Sequence, residues 1–208
     1  MQNDVWAIVR AERHALIDDL AGLDDAQWEQ PSLCDGWNVH DVVAHVIHSA
    51  RTTRLGFLIE MARAGFNFDL QNARGVERVR GASPHETLER LRDAAALTST
   101  PPAPIDTRLV EAIVHGEDIR RPLGLVRTYP QKAVIRSLKQ QARTSASFGG
   151  AKELLAHVRL SATDTGLSIG DGPEARGTVL ALLLAMSGRR AAHDDLDGPG
   201  VATLAELV

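Results

Sequence analysis

The sequence predicts a mainly helical protein: a four-helix bundle over residues 1–147, then a small α+β domain over 148–208. Three observations carry this prediction. Apolar residues in the first two thirds recur at helical spacing behind good capping residues. The last third changes to strand-like alternation with turn signals. His45 and the pair Glu111 and His115 fall on two predicted helices, and bundle cores take metal ligands from facing helices.

Val5, Ile8, Val9, Leu16 and Leu20 mark the first helix, with Gly22 as its stop. Asp24 or Asp25 can cap a short turn reaching Trp28. A loop follows from Pro31 to Gly36. Asn38 then caps a long helix through His45, expected to run to Arg63 before Gly65. Residues 64–82 read as a polar loop. Ser83 and Pro84 form a cap and first-turn pair for a helix reaching about Leu97. Thr98 to Pro104 is irregular, and Asp106 is placed to cap the Glu111 helix. A further helix over about 130–143 completes the bundle. Beyond Phe148-Gly149-Gly150, His157 to Thr163 alternates as a half-buried strand, and Leu167 to Gly170 can return as its hairpin partner. Gly177 to Met186 is strongly apolar and reads as a helix.

The 208 residues are enough for one large or two small domains, and 44% of them are hydrophobic. Aromatics are only 4%, so the core rests on Leu, Val, Ile and Ala. The net charge of -4, with dispersed basic residues, argues against a nucleic-acid partner. Cys34 is the single cysteine, which precludes an internal disulfide. No positive-then-apolar leader opens the chain, and the longest apolar run, Val179 to Met186, is too short to cross a bilayer. A cytoplasmic protein with no membrane partner is the expectation.

Glu111 and His115 are four residues apart and share one helix face. With His45 they form a set of two imidazoles and one carboxylate, which suits a catalytic zinc that keeps one position open. The bland alternatives are a satisfied core histidine at His45 and an arginine salt bridge at Glu111. His48, one turn from His45, competes as a ligand. His40, near the helix start, is expected to be exposed.

Trp28, then Ser32-Leu33-Cys34-Asp35-Gly36-Trp37-Asn38-Val39-His40-Asp41 through His45, resembles the signature of the mycothiol-dependent maleylpyruvate isomerase family. That family belongs to a wider DinB-like group of helical metalloproteins. Glu111, His115 and Asp118 resemble its second metal motif. The stretch from Ala162 to Ser187-Gly188-Arg189 resembles its small C-terminal domain, which is similar to sterol-carrier modules. The resemblance implies a DinB-like four-helix bundle, zinc or another divalent transition metal on His45, Glu111 and His115, and mycothiol as cosubstrate. It also implies that Arg189 faces the active site and binds substrate or cosubstrate, with Arg190 as the alternative. Residues 64–105 are least covered by it.

The implied chemistry is activation of a thiol for attack on a small electrophile. Metal binding favours the thiolate, which is the nucleophilic form. Addition, rotation and release would make an isomerase; conjugation would make an S-transferase. Asp118 can fix the tautomer of a ligand histidine or pair with Arg120 or Arg121. Cys34 is read as a small buried hydrophobe rather than a nucleophile. The competing readings are a metal-dependent hydrolase using metal-bound water and a non-catalytic ligand-binding protein. The expected partners are a small thiol and a small electrophile, and the oligomeric state is left as monomer or homodimer.

Overall fold

The computed structural model describes residues 2–207 and divides the chain into two compact units, Met1–Thr128 and Tyr129–Val208. The first unit is built on four helices: α1 (Gln2–Leu20), α3 (Val39–Arg51), α6 (Pro84–Ala94) and α7 (Thr107–Arg120). Helix α1 packs on α6 and α7, and α3 packs on the same two, which closes the four into a bundle. The interior is aliphatic, with Leu16, Leu20, Val42, Val43, Ile47, Leu91 and Ile119 among its buried members. The short helix α2 (Asp25–Trp28) adds Trp28 to this core.

Local signals explain the helix starts. Asn38 and Asp41 form a reciprocal capping box: the Asn38 side chain accepts from Asp41 N at 2.9 Å, and Asp41 Oδ2 accepts from Asn38 N at 3.2 Å. Asp24 caps α2 in the same manner with Gln27. Ser83 accepts from Glu86 N, and Pro84 opens α6 as expected. Asp106 differs from expectation: its backbone is already helical, and it makes no side-chain cap hydrogen bond.

Two further corrections fall between α3 and α6. The expected helix to Arg63 breaks at Thr52 and Thr53 into α3 and α4 (Arg54–Arg63). Thr52 Oγ1 donates back to His48 O at 2.8 Å, and Thr53 caps α4 by accepting from Gly56 N at 3.1 Å. Such hydroxyl bonds offer the backbone an alternative to helix continuation. The expected loop over 64–82 contains helix α5 (Phe68–Val79), capped by Asn67. Its buried residues, Gln71, Gly75, Val76 and Val79, follow helical spacing, but only the two valines bring apolar side chains, in a segment that is polar overall. Helix α5 packs on α3.

The second unit begins earlier than the expected boundary at 148. Helix α8 (Gln131–Gln141) packs on α9 (Val179–Ala185), so it belongs with this unit rather than completing the bundle. Buried Ala133, Val134 and Leu138 supply its apolar face, and Gln141 Nε2 donates to Ser187 Oγ at 3.0 Å. Strands β1 (Arg159–Ala162) and β2 (Ser168–Ile169) form the expected hairpin, with Leu160 opposite Ile169. Strand β3 (Glu174–Gly177), not foreseen in the sequence, joins the other edge of β1 in parallel and gives the order β2-β1-β3. Helix α9 is buried on all sides, as a helix without a polar face must be. Helix α10 (Gly200–Leu207) closes the unit and packs on β3.

Candidate functional site

His45 lies in the middle of α3 and His115 near the end of α7, both half-buried among buried neighbours. Their ring centroids are 4.6 Å apart, with planes at 73°. Trp37, just before α3, lies beside the pair, with its ring centroid 5.2 Å from that of His45. His115 Nδ1 is 2.8 Å from Asp118 Oδ2. An ionised Asp118 accepts the Nδ1 proton, which leaves the His115 Nε2 lone pair to meet a ligand. Asp118 is fully buried, and its carbonyl accepts from Leu33 N at 3.2 Å, so the loop before α3 is tied to α7 beside the pair.

One turn along both helices lies a second polar layer. Ser49 follows His45 by four residues, and Glu111 precedes His115 by four, so antiparallel α3 and α7 bring Ser49 and Glu111 together. Ser49 Oγ donates to Glu111 Oε2. Arg108 Nη1 lies 2.6 Å from Glu111 Oε2 and 2.6 Å from Ser49 Oγ. Arg13, from α1, reaches Glu111 Oε1 at 3.9 Å and donates to Leu97 O at 2.9 Å. All four residues are buried. Burial holds the Arg13 guanidinium below its ordinary pKa, opposed by the Glu111 carboxylate and reinforced by the Arg108 charge.

The structure therefore brings His45 and His115 together and turns Glu111 towards Arg108 and Ser49. A buried carboxylate needs charge and hydrogen-bond compensation, and the arginines provide it. Among the described residues, no group of three His, Cys, Asp or Glu side chains gathers closely enough to hold a metal ion. The donor types still fit a divalent transition metal: two imidazoles, one with a carboxylate behind it, and a further carboxylate one turn away on the same helix face.

His48 is not part of this group. Its Nε2 is 3.0 Å from Gln71 Nε2 on α5 and 3.4 Å from Glu60 Oε2 on α4. Burial lowers its pKa, with Glu60 opposing. His40 corrects an expectation: it is buried rather than exposed, with Nε2 2.6 Å from Thr87 Oγ1. Cys34 is half-buried and packs against the aliphatic core. In the second unit, Arg189 is half-buried and follows Gly188, whose φ of 81° makes the left-handed turn that ends the α9 segment. Its Nη1 donates to Ser187 O. Arg190 is exposed. A groove of about 530 Å³ on the first unit is lined by Asp41, Val76, Glu77, Arg80 and Gly81, and shares only Trp37 with the histidine pair.

Ser49, Arg108 and Arg13 were not singled out in the sequence. Helical spacing from His45 and Glu111 could have found the first two; nothing local points to Arg13, which comes from another helix.

A four-helix bundle presenting a half-buried imidazole pair, with a carboxylate fixing one ring, has the DinB-like fold. Residues 9–120, more than half of the chain, match the mycothiol maleylpyruvate isomerase N-terminal domain, and the chain belongs to that family. The fold is that of a mycothiol-dependent maleylpyruvate isomerase: a crystal structure of that enzyme matches with a TM-score of 0.65 at 15% identity, covering 96% of this chain and 93% of that one. A histidine-to-alanine mutant of that enzyme matches with a TM-score of 0.68 at 14% identity, with the same coverage. No relative matches among curated protein sequences. Among the described residues, no helix is long and apolar enough to cross a membrane.

Proposed function

We propose that this protein is a mycothiol-dependent isomerase or S-transferase acting on a small electrophile, with a divalent transition metal, zinc by preference, on His45, Glu111 and His115. The observation that carries this reading is the His45–His115 pair, 4.6 Å between ring centroids, with Asp118 on the far nitrogen of His115. Zinc held there would favour the thiolate form of a bound thiol. Asp118 holds His115 in the tautomer that offers Nε2. The Trp37 ring lies beside His45, 5.2 Å between ring centroids. Arg189 is proposed to bind an anionic group of thiol or substrate, where a planar guanidinium can pair a carboxylate at two points. Thiol addition to an activated alkene, rotation and release of the thiol leave an isomerised product; retention of the new bond leaves a conjugate. A cytoplasmic location, where a low-molecular-weight thiol is plentiful, fits this reading.

Turnover of an activated alkene by the zinc-loaded protein, with mycothiol, with glutathione and with no thiol, tests the proposal. Mycothiol alone should support full turnover. Arg189→Ala should retain zinc and raise the KM for thiol or electrophile by roughly ten- to a hundred-fold, the value of a charged hydrogen bond. Equal turnover in all three conditions would reject thiol transfer and favour metal-bound water as the nucleophile.

A further inference from the structure

The buried layer beside the histidine pair holds two guanidinium groups and one carboxylate. Arg108 pairs with Glu111, whose Oε2 takes both the Arg108 Nη1 contact and the Ser49 hydroxyl proton. Arg108 Nη1 also lies 2.6 Å from Ser49 Oγ, so serine, arginine and glutamate form a closed triangle. The triangle spans α3 and α7, the same two helices that carry His45 and His115. A metal on the two imidazoles that takes Glu111 Oε2 must draw it away from these donors, and one that takes Oε1 must do so against Arg13 Nη2, 3.9 Å from that oxygen. It must also accept two nearby positive charges, Arg108 and Arg13, in a poorly solvated setting.

We propose that Arg108, with Ser49, competes with the metal for Glu111, and so sets how tightly the site is loaded. The proposal rests on the metal reading of His45, Glu111 and His115. Arg108 is a positioning residue in it: it acts on the metal through the Glu111 carboxylate. A site built this way binds its metal more weakly than its three ligands would alone, and loads or empties with metal supply.

The test measures the zinc affinity of the whole chain by competition with a chromophoric chelator. Arg108→Met removes the competing charge while filling similar space, and should tighten zinc binding by roughly ten-fold or more, the scale of one charge-assisted hydrogen bond. Ser49→Ala should tighten it by a smaller factor. In a Glu111→Gln background most of the Arg108→Met gain should vanish, because the residue competed for is gone. Unchanged or weaker affinity in both single variants overturns the proposal. So does an equal gain with and without Glu111, which would mean simple charge repulsion. Circular dichroism checks that each variant folds, and if Arg108→Met does not, Ser49→Ala decides alone. If His115→Ala and Glu111→Gln bind zinc as the parent does, the metal reading itself has failed, a result separate from failure of the competition.

Discussion

His115 shows how a buried carboxylate can set which nitrogen of a neighbouring imidazole carries the proton. An imidazole can carry its proton on either nitrogen, and the partner on one side selects the form presented on the other. Asp118, fully buried and 2.8 Å from Nδ1, makes that selection here. Asp118→Asn keeps the shape but removes the charge. Zinc affinity, measured by chelator competition, should fall about ten- to a hundred-fold, the usual cost of losing such a supporting partner. An affinity within two-fold of the parent would show that Asp118 serves packing alone. Glu60 shows the opposite balance near His48. Burial works to raise its pKa, but hydrogen bonds from Arg78 and Gln71, together with the nearby His48 and Arg78 charges, hold it below its ordinary value.

At the scale of elements, α5 against α3 is the contact least expected from the sequence. Gly75 faces His48 closely enough that a Cβ there would sit far inside contact distance of the imidazole. His48 is buried and held between Gln71 and Glu60, so it has little room to move away. Gly75→Ala gains about 1 kcal/mol of helix propensity, while overpacking a tight contact costs about 1–3 kcal/mol. The variant should therefore be no more stable than the parent and up to about 2 kcal/mol less stable in urea unfolding. A clear gain in stability would show that α5 does not seat against His48. The break between α3 and α4 matters in the same way. It ends α3 at Arg51, just after Ser49, so the helix that carries His45 extends only as far as its second polar layer.

Across the whole molecule, buried histidines make stability depend on pH. Burial lowers the pKa of His40, with Arg80 reinforcing and Glu29 and Asp41 opposing. Burial also lowers that of His48, where Arg78 reinforces and Glu60 and Glu111 oppose. Below the ordinary value of about 6.5 the unfolded chain takes up protons that the folded chain refuses. Stability is then full above about pH 6.5 and declines as pH falls from there towards the lowered folded values. Melting temperature should drop between pH 7.5 and 5.5, and His40→Gln should shrink that drop. An equal drop in parent and variant would assign the dependence to other groups.

Much of this protein is legible in its sequence because the relevant forces act locally. Helical periodicity, the Asn38 and Ser83 caps, the β1–β2 hairpin and the Trp37-to-His45 motif all depend on residues within a turn or two of each other. So does the shared face of Glu111, His115 and Asp118, since helix geometry alone sets it. Tertiary structure decided what those side chains meet. Glu111 meets Arg13 because α1 and α7 pack together, and Ser49 because α3 and α7 do, whereas Arg108 reaches it from three residues away on the same helix. His40 is buried because α6 brings Thr87 over it. Strand β3 pairs with the second edge of β1, and α5 is a polar segment whose buried stripe includes Gln71 and Gly75 beside two valines. Sequence spacing determines which residues share a face, including Arg108 beside Glu111; packing between distant segments determines what lies opposite, as Arg13 and Ser49 do here.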